Sequence, residues 1–305
     1  MRIDMTRSFT IVALTALLGG PAIGAPQAFQ TPGAAVNAVV AALEAGDRSA
    51  LLDVFGSENE DVVFSGDPER DRQDWSDFLA AYKEMNRVSE EGETATLYIG
   101  HDQWPMPIPI VKGDGGQWQF DAEAGSDEIT ARRIGENELD VIELLRAYVR
   151  VQAAYRQIDY DGDGVMEFAN AILSDDGARN GLYWPQEPGM PQSPIGDFIA
   201  RASAEGYNVD GEASEPEPYL GYYFQILQRQ GPNAPGGERP YTVNNDMVSG
   251  HAILAFPSAY GDTGIMTLMV GENGVVYEAD LGEDTLERAA AIDAYDPSDD
   301  WIVVE

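Results

Sequence analysis

The 305-residue chain has no cysteine, so no disulfide can staple it and its stability must come from its core or from bound ions. Histidine is almost as scarce. Only His101 and His251 occur, no H-E-x-x-H is present, and a zinc site would need distant partners that the sequence does not mark. Positive charge is thin as well: 18 basic residues, of which only Lys83 and Lys112 are lysines, face 53 acidic ones, for a net charge of −35. Such a charge repels phosphate backbones and anionic headgroups, which disfavours nucleic-acid and membrane-surface binding. An acid-rich, lysine-poor surface suits a salty medium that screens self-repulsion. What the chain does contain is 44% hydrophobic and 10% aromatic residues, too many for a disordered acidic polymer. At about 150 residues per domain, the length implies roughly two folded domains.

The first 24 residues read as an address. Arg2 and Arg7 precede an apolar run from Phe9 to Leu18, followed by Gly19, Gly20 and Pro21 and the small residues Ala22, Gly24 and Ala25. That is the pattern of a secretory signal peptide, with cleavage expected after Gly24 because Pro26 makes the next bond a poor substrate. Loss of Arg2, Arg7 and Asp4 takes the mature chain to −36. No later segment reaches 18 consecutive apolar residues, so no membrane span is expected in the mature chain. The expected location is periplasmic or secreted.

The remainder reads as α+β in two parts, 25–124 and 125–305. In the first, Thr31 caps a helix with Pro32 in its first turn and Val36, Val39, Val40 and Leu43 at helical spacing until Gly46; Asp47 caps a second. A third, from about Pro68 to Val88, is expected to bury Trp75, Phe78, Leu79 and Tyr82. Strands are expected at Thr94–Ile99, Ile108–Val111 and Trp118–Phe120. Helices followed by antiparallel strands are similar to a cone-like fold. In the second part, Ser126 is expected to cap a short helix that breaks at Gly135, and Asn137 a long helix over 138–158. Its stripe of Val141, Leu145, Tyr148, Gln152 and Tyr155 needs a sheet to cover it. Strands are expected at 220–227, 241–243, 251–256, 265–270 and 275–277, with Asn273-Gly274 in a hairpin. A long helix leading into a small antiparallel sheet resembles the soluble part of pilin-like proteins.

The most specific motif is Asp159-Tyr160-Asp161-Gly162-Asp163-Gly164. Carboxylates at every second position converge on one point, and Gly164 permits the turn that wraps a hard cation, as in the first half of an EF-hand-type loop. The second half departs from that pattern, because position twelve is Asn170 and not a bidentate Glu. The expected Ca²⁺ ligands are therefore Asp159, Asp161, Asp163, the Val165 backbone and Glu167; the competing reading is a solvated acidic turn. Ser249, His251 and Asp246 can be written as a triad, but no G-x-S-x-G elbow exists and neighbours on one strand point to opposite faces. His251 reads as a satisfied structural histidine and His101 as a loop residue. The aromatic clusters at Gly181–Pro185 and Tyr219–Phe224 could form a platform for sugars or peptides, but are expected to pack the core and pin a loop. Gln230–Gly237 is a turn-rich loop too rich in proline to cradle phosphate.

Asp161-Gly162-Asp163-Gly164-Val165 with Glu167-Phe168-Ala169, Gly181-Leu182-Tyr183-Trp184-Pro185, Pro218-Tyr219 with Gly221-Tyr222-Tyr223-Phe224, Gln230-Gly231-Pro232 with Ala234-Pro235-Gly236-Gly237, and Tyr260-Gly261 with Thr263-Gly264 together resemble an uncharacterised family of exported bacterial proteins, a domain of unknown function. The resemblance also takes in Gly46-Asp47-Arg48, Ser65–Pro68 and Trp104-Pro105. It implies a Gram-negative envelope location and carries over no catalytic or binding residue. Three functions are compatible with these features. They are a non-catalytic, Ca²⁺-stabilised envelope protein that binds a partner or helps assemble a surface structure, a periplasmic hydrolase of peptide or glycan, and a periplasmic small-ligand binder.

Overall fold

A computed structural model describes residues 24–160, 162–175, 177–186, 189, 191–196, 199, 202–203 and 216–304. The proposed signal peptide, apart from Gly24, lies outside the described residues. The fold is α+β, and the chain divides into two compact units, the first ending at Glu128 and the second running from Ile129.

In the first unit, α1 (Pro32–Ala45) is capped by the Thr31 hydroxyl, which accepts the Ala34 N–H, and closed by Gly46 in the left-handed region. Asp47 caps α2 (Arg48–Phe55) in the same way. A 3₁₀ turn at Ser57–Asn59 leads to α3 (Glu60–Val63), and Asp67 caps α4 (Pro68–Glu84). The strands β1 (Asn86–Glu91), β2 (Thr94–Ile99), β3 (Trp104–Pro105), β4 (Ile110–Lys112) and β5 (Trp118–Phe120) form an antiparallel sheet in the order β1-β2-β4-β5, with β3 also on β2. Val36 and Val39, Leu51 and Phe55, Leu97, Ile110 and Phe120 meet in one core, where the Phe55 and Phe120 rings stand 4.6 Å apart. The two lysines sit here, Lys83 paired with Glu44 at 3.0 Å and Lys112 over the Trp118 ring.

Two expectations for this unit are corrected. The helix expected to reach Val88 stops at Glu84, because Asn86–Glu91 pairs with all of β2 across the two-residue loop Gly92-Glu93, with Gly92 at φ +66. Six residues of ladder outweigh one more helical turn, and a glycine opening a two-residue loop is a hairpin signal. The α4 face is also only half-buried: Trp75, Phe78 and Tyr82 pack against the core, and Asp71 is the buried residue of that helix.

The second unit is built on α5, which runs unbroken from Ala122 to Tyr155 and contributes its first turns to the first unit. This corrects the expected break at Gly135. The cap is Asp121, whose Oδ1 accepts the Ala124 N–H, and not Ser126. Asn137, read as a fresh cap, donates its side-chain amide to the Thr263 carbonyl at 2.8 Å. A mid-helix glycine costs about 1 kcal/mol relative to alanine, which contacts such as this one offset. Val141, Leu145, Tyr148, Gln152 and Tyr155 are all buried, as their spacing predicts.

That stripe joins one core with the sheet β16-β15-β14-β13-β8. The sheet comprises β8 (Tyr222–Leu227), β13 (Ala252–Pro257), β14 (Met266–Gly271), β15 (Val276–Asp280) and β16 (Ile302–Val303), every neighbouring pair antiparallel. The hydroxyl of Tyr148 reaches the Ala252 carbonyl of β13, and every residue of that strand is buried. Around it lie the parallel pair β6 (Ala171–Leu173) and β7 (Gly181–Tyr183), and the short antiparallel pairs β9 (Arg229–Gln230) with β10 (Arg239–Pro240) and β11 (Thr242–Val243) with β12 (Asp246–Met247). The hairpin at Asn273-Gly274 is present, closed by Gly274 N–H to the Gly271 carbonyl.

Candidate functional site

The acidic motif begins where α5 ends. Turn-type bonds from Gln157 to Ala154 and from Ile158 to Tyr155 close the helix, and the chain enters the loop at Asp159. Asp159 organises it, with Oδ1 accepting the Gly162 N–H at 2.7 Å and Oδ2 the Gly164 N–H at 3.0 Å. Asp163 Oδ1 accepts the Val165 N–H at 2.7 Å. Gly162 and Gly164 lie at φ +79 and +90, where a side chain would be strained. Glu167 leaves the loop and accepts the Met247 N–H through Oε2 at 3.2 Å, while Phe168 N–H donates to the Met247 carbonyl at 2.9 Å. The loop is thus fastened at one end to α5 and at the other to β12.

Asp161, the middle carboxylate of the expected ligand set, lies outside the described residues. Among the described residues, no group of three or more His, Asp or Glu side chains is placed to hold a metal ion. Asp159, Asp163 and Glu167 are all-oxygen donors, the chemistry that suits a hard cation.

An aromatic base supports the loop. Tyr160 packs between Tyr155 and Trp184, its ring tilted against both with centroids 4.7 and 5.2 Å away, and the Trp184 indole N–H donates to the Pro191 carbonyl. The Tyr155 hydroxyl donates to the Arg179 carbonyl. Tyr222 and Phe224 are fully buried in β8.

His251 corrects one expectation. It is 1% exposed, as a core histidine should be, but its Nδ1 is buried without a hydrogen-bond partner. The imidazole sits edge-on to Tyr148 and Phe168, at 5.2 and 4.6 Å, and Arg156 lies over the other aromatic partner, Phe168. Burial first, and the Arg156 charge second, push its pKa down to about 4, so it is neutral at pH 7. Among the described residues no hydrogen bond joins it to Ser249 or Asp246; the Ser249 carbonyl accepts from Arg239. His101 lies in a turn, its Nε2 3.0 Å from Glu84.

Sequence reading missed a carboxylate cluster at the start of the second unit. Glu138 Oε1 accepts the Ile265 and Met266 N–H groups, each at 2.9 Å, and so ties α5 to β14. Burial and the nearby Glu138 charge raise the Glu278 pKa. No local signal marks this pair, because its members are brought together by the hold of Glu138 on the start of β14 and by the pairing of β14 with β15.

The fold and site define an α+β protein whose acidic loop ties a long helix to a sheet. The chain belongs to the family described as a protein of unknown function, DUF2950, which matches residues 26–304. No curated protein and no solved structure matches it.

Proposed function

We propose that the protein is a non-catalytic exported envelope protein, located in the periplasm or secreted, which binds a partner or assists assembly of a surface structure and is stabilised by Ca²⁺ in the 159–167 loop. The observation that carries this reading is the wiring of the loop: Asp159 and Asp163 are turned by backbone N–H groups, and Glu167 is strapped to Met247. In a cysteine-free chain, an ion there takes the part of a staple between the end of α5 and the following segment. Asp159, Asp161, Asp163, the Val165 carbonyl and Glu167 supply oxygen. Without a Glu at position twelve, the affinity expected is of the extracellular type, on the order of 10⁻⁴ to 10⁻³ M.

Thermal melts with chelator and with millimolar Ca²⁺ test the metal. At ten times Kd the stabilisation is about 1.4 kcal/mol, a few degrees in Tm for a chain of this size. The shift should vanish in Asp161→Ala. Superimposable wild-type melts and no binding heat would reduce the motif to an acidic turn. Affinity capture from the native envelope, read by mass spectrometry, tests the partner, and recovery of the full-length chain from the cytoplasm would sink the export reading.

A further inference from the structure

A cleft of about 280 Å³ opens in the second unit, beside the turn-rich loop 230–237. Met269, fully buried in β14, together with Ile292 and the half-buried Trp301, gives it an apolar lining, and Arg229, Asp293 and Asp296 supply its charge. Its volume lies just below the roughly 300–1,000 Å³ of pockets that take drug-sized ligands. It suits one side chain.

The charges are unequally matched. The Arg229 guanidinium is divided between Asp293, with contacts of 2.8 and 3.3 Å, and Glu238 at 3.5 Å. Among the described residues, the Asp296 carboxylate has only neutral donors, the Asn233 backbone N–H at 2.7 Å and its side-chain amide at 3.1 Å. This grip depends on Gly231, since a Cβ there would stand 2.3 Å from the Asp296 carboxyl carbon. The Asp296 carboxylate is therefore aimed by hydrogen bonds, and no cation among the described residues cancels it. Two carboxylates, Asp293 and Asp296, and one guanidinium line the cleft, and the exposed Asp299 and Asp300 immediately precede Trp301.

We propose that this cleft receives the side chain of a lysine or arginine carried on a basic segment of a partner protein, its cationic head at Asp296 and its alkyl stem against Ile292 and Trp301. An aromatic face attracts a cation, and a long basic side chain buries its methylenes while its head stays polar. The net charge of −35 draws any basic partner toward the surface. That field selects no position, whereas the cleft does. The proposal rests on the partner-binding reading above and names the partner's chemistry.

Calorimetry on the whole protein in 150 mM salt tests it with the peptide acetyl-Gly-Lys-Gly-Lys-Gly-amide, its norleucine counterpart and free cadaverine. The lysine peptide should bind saturably, and replacing lysine by norleucine should cost about tenfold, or 1.4 kcal/mol. Asp296→Asn, which keeps an oxygen for Asn233, should also lose about tenfold and Trp301→Leu about threefold, while Glu90→Gln, exposed in the first unit, changes nothing. No saturable binding, or equal losses from Asp296→Asn and Glu90→Gln, would overturn the proposal in favour of the diffuse field. Cadaverine binding as tightly as the peptide would overturn it in favour of a small-amine site. Ca²⁺-dependent melts of the same samples separate the two readings: a lost peptide signal with an intact Ca²⁺ shift removes the cleft alone.

Discussion

The two units solve the same packing problem with different materials. Of the seven buried polar residues among the described ones, only Asp71 belongs to the first unit, whereas Gln152, Ser203, Gln230, His251, Thr267 and Thr285 belong to the second. The first unit closes by apolar contact between α1, α2 and its sheet. The second must also bury irregular backbone between α5 and β8, and buried N–H and C=O groups need partners. Gln152 shows how: its Oε1 accepts the Ala169 N–H and its Nε2 donates to the Ala169 carbonyl, both at 2.9 Å. Gln230 likewise donates to the carbonyls of Pro235 and Gly237. Side chains replace the ladder where the chain is not in a strand, so the second unit is the one that single polar substitutions should damage most.

Gln152→Ala is the largest expected break. It orphans both backbone groups of Ala169 and leaves a cavity, a loss of about 4 kcal/mol. Urea unfolding followed by region-resolved hydrogen exchange should show the second unit opening earlier and the first unchanged.

Acid sharpens the contrast next. Below pH 6.5 the unfolded chain protonates His251 while the folded one, at about 4, does not. The unfolded state then binds more protons, so stability is lost as the pH is lowered from 6.5 towards 4, by about 3 kcal/mol when complete. His251→Phe should flatten the slope of urea midpoints between pH 6.5 and 4; an unchanged slope would refute the assignment.

Asp71 should give way only at lower pH. Burial raises its pKa, but the Ser65 hydroxyl and N–H, at 2.7 and 2.8 Å, and the Arg48 guanidinium outweigh that and hold it below the ordinary carboxylate value. Its contribution is present above the unfolded carboxylate pKa near 4 and is lost as pH falls through the folded value. Asp71→Asn should cost the first unit about 2 kcal/mol at pH 7, a modest figure because Arg48 is 43% exposed and water takes part of the loss. The proposed Ca²⁺ should have the smallest effect, with protection appearing in exchange at the 159–168 segment before anywhere in the first unit.

Local chemistry made much of this legible. The caps at Thr31 and Asp47, the strands Thr94–Ile99 and Trp118–Phe120, and the buried stripe of α5 follow from capping and periodicity. The continuity of α5 through Gly135 was not legible, because Asn137 and Glu138 are held by Thr263, Ile265 and Met266, some 126 to 128 residues away. Neither was β1, whose residues Asn86–Glu91 carry weak strand propensity and become a strand only by pairing with β2. The acidic motif could be found from spacing, and its strap to Met247 could not. The cleft was still less accessible, since Asp296 acquires its orientation from Asn233, 63 residues upstream.

Both lysines lie in the first unit, one beside Glu44 and one over Trp118. Amine-reactive dyes, cross-linkers and resins can therefore grip the folded protein only there or at its amino terminus. A tether made that way holds the molecule by the first unit and leaves the cleft around Asp296 untouched, so an immobilised sample presents that face unmodified to a partner. Amine-to-amine cross-linking has no lysine in the second unit to use. Carbodiimide coupling, which activates carboxylates and joins them to a partner's amines, is the chemistry matched to this surface.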